Sequence, residues 1–277
     1  PLINRGIQGL YPPGSTLKLI ASALALEEKK VKKRWIVNCS GAYTLGDRTF
    51  HCWNIDGHGD IDMKRAIIHS CNIYFYQLIQ KLSFQNWVKM AEGFGYGSIS
   101  GIDLYGEKAG NIPNSGYMNK KYGKYGWAIG NLLTFVIGQG DVLVTPLQVL
   151  QMINLIASRG NTYKPHLTMN NMLSEMNLHL NSDTWDFLQD AMWNVVNHER
   201  GTGKLAKIED VDVYGKTGTA QNPHGENHSW FAGYMEMHNK PILSLSILVE
   251  HGGKGSLEGA KIAKKIFEYV KRNELIQ

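Results

Sequence analysis

At 277 residues, with 43% hydrophobic and 19% charged side chains, the chain can bury a large core as one domain or two lobes, and its composition excludes a disordered protein. The formal net charge of +5 would suit an acidic partner, but Lys and Arg are spread along the chain. The densest run, Lys29-Lys30-Val31-Lys32-Lys33-Arg34, reads as the cationic last turn of a helix rather than a nucleic-acid patch, and no apolar stretch reaches the ~18 residues needed to cross a bilayer.

Pro12-Pro13-Gly14 ends a loop, and residues 15–34 are apolar nearly all round, without glycine or proline, which predicts a buried helix. Residues 36–62 carry Gly41, Gly46, Gly57 and Gly59 and read as loop. Helical patterns return over 63–69 and 73–82, so Ser70-Cys71-Asn72 falls in the turn between two helices, where side chains can face a cleft. Residues 93–141, rich in Gly, Tyr and Asn, show little periodicity and suit long surface segments. Thr145-Pro146-Leu147-Gln148 is a helix start, with Thr as N-cap, Pro first and Gln third, and that helix stops at Gly160. A further helix is predicted over 182–197. The period then changes to strands over 211–219, 229–237 and 242–250, with Glu236-Met237-His238-Asn239 as a hairpin turn, and an amphipathic helix over 256–276 closes the chain. The expected fold is α/β (α+β), one domain over 1–277 with an antiparallel sheet covered by helices plus an all-helical lobe.

Three strings along this frame suggest chemistry: Ser15-Thr16-Leu17-Lys18, Ser70-Cys71-Asn72 and Lys216-Thr217-Gly218. If Ser15 opens a helix, Ser15 and Lys18 stack on one face, and the lysine can take the serine's proton once it is a neutral amine. Burial and a second cation, Lys216, would both lower the amine's pKa. Singly, each string is commonplace, since serine three residues ahead of lysine arises by chance and Lys-Thr-Gly fits any strand end with a solvated lysine. Their order, spacing and setting carry the reading.

As Ser-x-x-Lys, Ser-x-Asn and Lys-Thr-Gly, these strings give the chain a pattern that resembles the transpeptidase domain of class B penicillin-binding proteins. The flanks sharpen the match. Asn4-Arg5, Gln8-Gly9, Tyr11-Pro12-Pro13-Gly14-Ser15, Gly101-Ile102-Asp103-Leu104, Gly138-Gln139-Gly140 and Lys216-Thr217-Gly218-Thr219-Ala220-Gln221 are similar to the elongation-type members, the penicillin-binding protein 2 group. The resemblance runs almost the whole length and implies the penicillin-recognising serine transpeptidase, or β-lactamase-like, fold. It also implies roles: Ser15 as nucleophile, Lys18 as general base, Ser70 as proton relay to the leaving group and Asn72 as hydrogen-bond partner of the substrate amide. Lys216 and Thr217 would bind the donor's terminal carboxylate, Gly218 would let substrate lie against the strand, and the amides of Ser15 and Thr219 would form an oxyanion hole.

Such a site attacks acyl-D-Ala-D-Ala of a peptidoglycan stem peptide, releases D-alanine and passes the acyl group to an amine on a neighbouring strand, and β-lactams acylate the same serine. A D,D-carboxypeptidase is the nearest alternative, because the choice of water over amine is not written in the motifs. A class A β-lactamase needs a deacylating glutamate. Glu175-Met176-Asn177-Leu178 offers one only 105 residues beyond Ser70 (175 minus 70) and with His179 following, so Glu175 reads as surface. A non-catalytic β-lactam sensor would carry Ser-x-Val, which Asn72 contradicts.

All three cysteines, Cys39, Cys52 and Cys71, fall in one 33-residue window with His58 between them, in the spacing C-x12-C-x5-H-x12-C. Three thiolates and an imidazole make a closed tetrahedral set for structural zinc, with His51 and Asp56 as alternative fourth ligands. A Cys39–Cys52 disulfide with Cys71 buried, or three free thiols, are the other readings. No cofactor is required for catalysis.

By resemblance, a cytoplasmic tail, one membrane helix and a non-catalytic pedestal precede such a domain. The chain, which starts at Pro1, is therefore expected to be a fragment, anchored in its full form in the inner membrane with the catalytic domain in the periplasm. Two sheet strands also precede the nucleophile in this family, yet only 14 residues precede Ser15, so either those strands are absent here or another segment covers that sheet edge, an uncovered edge being an aggregation liability. Partners implied are stem peptides, β-lactam antibiotics, a SEDS-family glycosyltransferase and a rod-complex scaffold protein, and no nucleic acid.

Overall fold

A computed structural model describes residues 2–168, 174–222 and 225–273. A short helix, α1 (Arg5–Gln8), leads into a 3-10 turn, Gly14–Leu17, and then α2 (Lys18–Glu27), in which every residue from Lys18 to Ala25 is buried. The helix stops seven residues before the expected Arg34. Lys29 adopts a left-handed φ of 52°, and the Lys30 amide reaches back to the Ala25 carbonyl at 3.3 Å, a Schellman-type closure. The basic run therefore begins just beyond the helix rather than forming its last turn.

Residues 36–62, expected as loop, fold into nested hairpins. Strand β1 (Val37–Cys39) pairs with β4 (Gly59–Ile61), and between them β2 (Ala42–Leu45) pairs with β3 (Arg48–His51). Here the backbones cross at two glycines: a Cβ on Gly57 would lie 2.1 Å from the Cys39 carbonyl oxygen, and one on Gly41 would lie 1.9 Å from that of Ile55. That crossing folds Cys39, Cys52 and His58 together.

Helices α3 (Met63–Ile68) and α4 (Asn72–Ile79) flank the second motif as expected, and α5 (Phe84–Gly93) follows. The stretch expected to lack periodic structure contains two more helices, α6 (Ser115–Tyr122) and α7 (Ile129–Val136). The latter buries Leu132, Leu133, Phe135 and Val136 against α4, so this part of the chain belongs to the helical lobe. Helix α8 (Pro146–Ala157) has the expected capping box, with Gln148 N–H donating to Thr145 Oγ1 and Thr145 N–H to Gln148 Oε1. A small hairpin, β5 (Asn161–Tyr163) with β6 (Glu175–Asn177), precedes α9 (Ser182–Asn197).

The last third forms an antiparallel sheet, β7 (Asp212–Ala220), β8 (His228–Met237) and β9 (Lys240–Val249), in that order. His238 and Asn239 both take positive φ, 52° and 60°, the geometry of a two-residue hairpin turn. Side chains alternate between faces: Trp230, Ala232 and Tyr234 join the main core beneath α8 and α9, while Phe231 and Met235 join a second cluster beneath α10 (Glu258–Asn273). The final helix was expected to reach residue 276; residues 274–277 lie outside the described ones. Among the described residues β9 has no strand on its outer side, and no helix is long and apolar enough to cross a membrane.

Candidate active site

Ser15 sits in the 3-10 turn at the head of α2, where the chain crosses β7. Gly14, φ +57°, makes this contact possible, since a Cβ there would lie 2.7 Å from Thr219 O and 3.0 Å from Thr219 N. The turn is held on three sides. Trp230 Nε1 donates to Pro12 O at 3.0 Å, Thr16 Oγ1 to Pro13 O at 2.8 Å and Gly14 N to Gly138 O at 2.9 Å. Thr219 thus brings its amide beside the turn that carries Ser15.

Gly218 takes part in the same contact. A Cβ on it would lie 2.9 Å from Pro13 O and 3.2 Å from the Trp230 Cβ, so the missing side chain makes room for the turn that carries Ser15.

Lys18, one helical turn from Ser15, is fully buried. Its Nζ lies 2.8 Å from Ser70 O, 2.7 Å from Asn72 Oδ1 and 3.3 Å from Ser70 Oγ. Burial lowers its pKa to about 8, against small opposing effects of Cys71 and Cys52. A neutral amine keeps two N–H groups, enough for the two short contacts. The longer contact can then reverse, with Ser70 donating to the nitrogen lone pair. Lys216 Nζ, also fully buried, donates to Ser70 Oγ at 3.1 Å and Thr217 O at 2.9 Å; burial, and then the charge of Lys18, lower its pKa well below the ordinary lysine value.

Ser70 has a left-handed φ of 54°, sparsely populated for a residue with a Cβ. The Cys71 amide donates to Ala66 O at 2.9 Å, closing α3 and directing the Ser70 hydroxyl between the two lysines. Asn72 Nδ2 donates to His51 O, which fixes its carbonyl toward Lys18.

Ser15, Ser70, Asn72, Thr217, Gly218 and Thr219 line one cleft of about 320 Å³, and Lys18 and Lys216 stand behind its wall. The first two motifs and the third therefore converge as expected. Glu175 lies on exposed β6 and is not among the cleft residues.

Sequence reasoning missed Trp53, Gln139 and Thr202 as cleft residues. Gln139 Nε2 donates to Thr219 O at 2.7 Å and its Oε1 accepts from Gln221 N at 3.1 Å, clamping the end of the third-motif strand. Its Gly-Gln-Gly setting was visible in the chain, but Thr202 and Trp53 carry no local signal.

Behind the second motif, one ligand atom each from Cys39, Cys52, His58 and Cys71 lies within 4.8 Å of the others, the one such group among the described residues. His58, not His51 or Asp56, is the fourth member, and all three cysteines are free and buried, without a Cys39–Cys52 disulfide. His58 Nδ1 lies 3.4 Å from Cys39 Sγ and 3.5 Å from Cys52 Sγ. In a tetrahedral zinc site, with Zn–S ~2.3 Å and Zn–N ~2.0 Å, sulfur and nitrogen ligands stand ~3.6 Å apart. The residues therefore fit the ion, although His58 Nε2, which is buried, has no hydrogen-bond partner among the described residues. The Cys71 thiol, hydrogen-bonded to Cys39 and Cys52, lowers the pKa of both, while the same two contacts raise its own, so two of the three sulfurs take thiolate character. The cluster touches the second motif directly, because the Asn72 amide donates to Cys52 Sγ at 3.4 Å.

Residues 1–270 match the family model of the penicillin binding protein transpeptidase domain. The chain is 32% identical over its full length to a peptidoglycan D,D-transpeptidase MrdA of Haemophilus influenzae, covering 47% of that protein. Of the solved structures, it matches penicillin-binding protein 2 of Pseudomonas aeruginosa, in complex with WCK 5153, with a TM-score of 0.90 and 32% identity, over 97% of this chain and 63% of that one. It matches penicillin-binding protein 2 of Helicobacter pylori, solved in complex with MreC, with a TM-score of 0.86 and 32% identity, over 97% of this chain and 52% of that one. The chain spans about half the length of the curated relatives it matches.

Proposed function

The chain belongs to the penicillin-binding protein transpeptidase family, class B and of the penicillin-binding protein 2 type, and on that premise we propose that it is the catalytic domain of a serine D,D-transpeptidase that cross-links peptidoglycan during cell-wall elongation. The observation that carries this reading is a buried, neutral-leaning amine, Lys18, placed one turn from a cleft-lining serine and bonded to Ser70 and Asn72.

Neutral Lys18 takes the proton of Ser15 as Oγ attacks the carbonyl carbon of the penultimate D-alanine. The developing oxyanion is met by the amides of Ser15 and Thr219, a contribution of about 3 kcal/mol per donor. Collapse breaks the peptide bond, and Ser70 passes a proton to the departing amine, drawing on the lysine pair that faces its hydroxyl. D-Alanine leaves, an amine of a second stem peptide attacks the ester, and Ser15 recovers its proton. Thr217 and Thr219 present hydroxyls to the donor's carboxylate, with the Lys216 amine behind them. β-Lactams enter the same path at the first step.

Cys39, Cys52, His58 and Cys71 would hold one zinc ion, which supplies structural restraint to the second-motif turn and no chemistry to the substrate. The full protein is placed in the inner membrane by a single span, with this domain in the periplasm. There it works with a SEDS-family glycosyltransferase and a rod-complex scaffold, the H. pylori relative's complex with MreC supporting the latter.

The test is acylation by a fluorescent penicillin. Wild-type protein is expected to become labelled at Ser15, with intact mass increased by one penicillin, and Ser15→Ala is expected to take no label. Labelling that persists in that variant overturns the assignment.

A further inference from the structure

Thr202 lies in the Gly201-Thr202-Gly203 stretch that leaves α9, and it lines the cleft beside Thr217. Its amide donates to Ile68 O at 3.3 Å, which ties the stretch to the end of α3, two residues before Ser70. Its hydroxyl accepts from Thr217 Oγ1 at 2.8 Å and donates to the same Ile68 carbonyl at 3.4 Å.

A hydroxyl has one proton, so these distances constrain what the cleft can offer an anion. Thr219 Oγ1 already accepts the Gly255 amide at 2.9 Å, which leaves its proton free to point into the cleft. Thr217 is different. If its proton lies on Thr202, it presents only lone pairs to the cleft and repels a carboxylate. If Thr202 donates to Thr217 instead, the Thr217 proton is released toward the ligand. The competing acceptor for Thr202, Ile68 O, lies at the longer distance, so turning the Thr202 proton toward Thr217 gives up only a weak contact.

We infer that Thr202 is a positioning residue for the substrate's terminal carboxylate: when the anion enters, the Thr202 hydroxyl turns from Ile68 O to donate to Thr217 Oγ1, and the Thr217 proton is released toward the anion. The inference rests on the transpeptidase reading above. It adds a residue outside the three motifs, and it makes carboxylate recognition depend on a hydroxyl that does not itself touch the ligand.

The experiment compares second-order acylation rates of wild type, Thr202→Val and Thr202→Ser by benzylpenicillin and by its methyl ester, which lacks the carboxylate. Thr202→Val keeps the side chain's shape and removes only the hydroxyl. It is expected to slow benzylpenicillin acylation by about tenfold, the usual scale for losing a hydrogen bond that serves a charged group, and to leave the ester's rate as in wild type. Thr202→Ser should restore the benzylpenicillin rate. Equal slowing with both ligands would mean that Thr202 only holds the fold, and an unchanged benzylpenicillin rate would mean that Thr217 needs no partner; either result overturns the inference. Thr202→Ala, compared at a matched melting temperature, decides the question should the valine variant misfold. Wild-type protein that reacts with neither ligand overturns the transpeptidase reading itself.

Discussion

Lys18 and Lys216 approach the same hydroxyl, that of Ser70, at 3.3 and 3.1 Å. Both are fully buried, so two ammonium charges cannot be held there cheaply, and each amine is pushed toward its neutral form. With the Lys18 pKa lowered to about 8, protonation below that pH removes the base. The acylation rate should therefore rise roughly tenfold per pH unit between pH 6 and 7 and level off above about 8. Lys18→Ala should lose both the rate and this limb, as followed by stopped-flow acylation across the range. A rate flat from pH 6 to 9 would remove Lys18 from the role of base.

The absence of a glutamate among the described cleft residues has a kinetic consequence. Glu175 stands on an exposed hairpin, and among the described residues no carboxylate lines the cleft with Ser15, so no carboxylate there activates water against the acyl ester. The acyl-enzyme should persist long enough for its mass to be recorded. Nitrocefin should be consumed in a single stoichiometric burst, and sustained hydrolysis on the order of 10 per second, an ordinary enzyme rate, would mark a β-lactamase instead.

The three motifs were legible because each packs its chemistry into a few adjacent residues whose spacing survives folding. Ser15 and Lys18 need only one turn of helix, and the capping box at Thr145 announces α8 in the same local way. Thr202 and Gln139 were not legible, since their roles exist only through contacts with Thr217 and Thr219 made by the tertiary fold. The end of α2 was misjudged because nothing local marks Lys29 for a left-handed backbone. The nested hairpins of 36–62 have strands of three or four residues, too short to show alternation among so many glycines. The cysteine cluster was legible in its residue types, which put His58 first with His51 and Asp56 as alternatives, and the crossing at Gly41 and Gly57 is what brings His58 to the sulfurs.

Chelation provides the test of that cluster. The Asn72 amide bonds to Cys52 Sγ, so loss of an ion held there should loosen the second-motif turn as well as the hairpins. Protein purified without chelator should contain one zinc per chain. Its removal should cost on the order of 2–3 kcal/mol, about 5–10 °C in melting temperature, and should slow penicillin acylation in parallel. Cys39→Ser, outside the motif's own three residues, should lower stability before it lowers acylation. Metal analysis that finds no stoichiometric zinc ends the proposal.

The backbone of Ser70 carries the last expectation. With φ at 54° it occupies the position after α3 that glycine usually fills, and a side chain there costs about 1–2 kcal/mol. The strain is retained because this conformation places the hydroxyl between Lys18 and Lys216. Removing the hydroxyl by Ser70→Ala keeps the strain, whereas Ser70→Gly removes both. The glycine variant should therefore be the more stable of the two by about 1 kcal/mol in denaturant unfolding, the reverse of their order in an ordinary helix. Neither variant should cross-link peptide substrate, since each lacks the relay. If the alanine variant proves the more stable, the left-handed turn is not strained, and the orientation of Ser70 must come from its contacts with the two lysines alone.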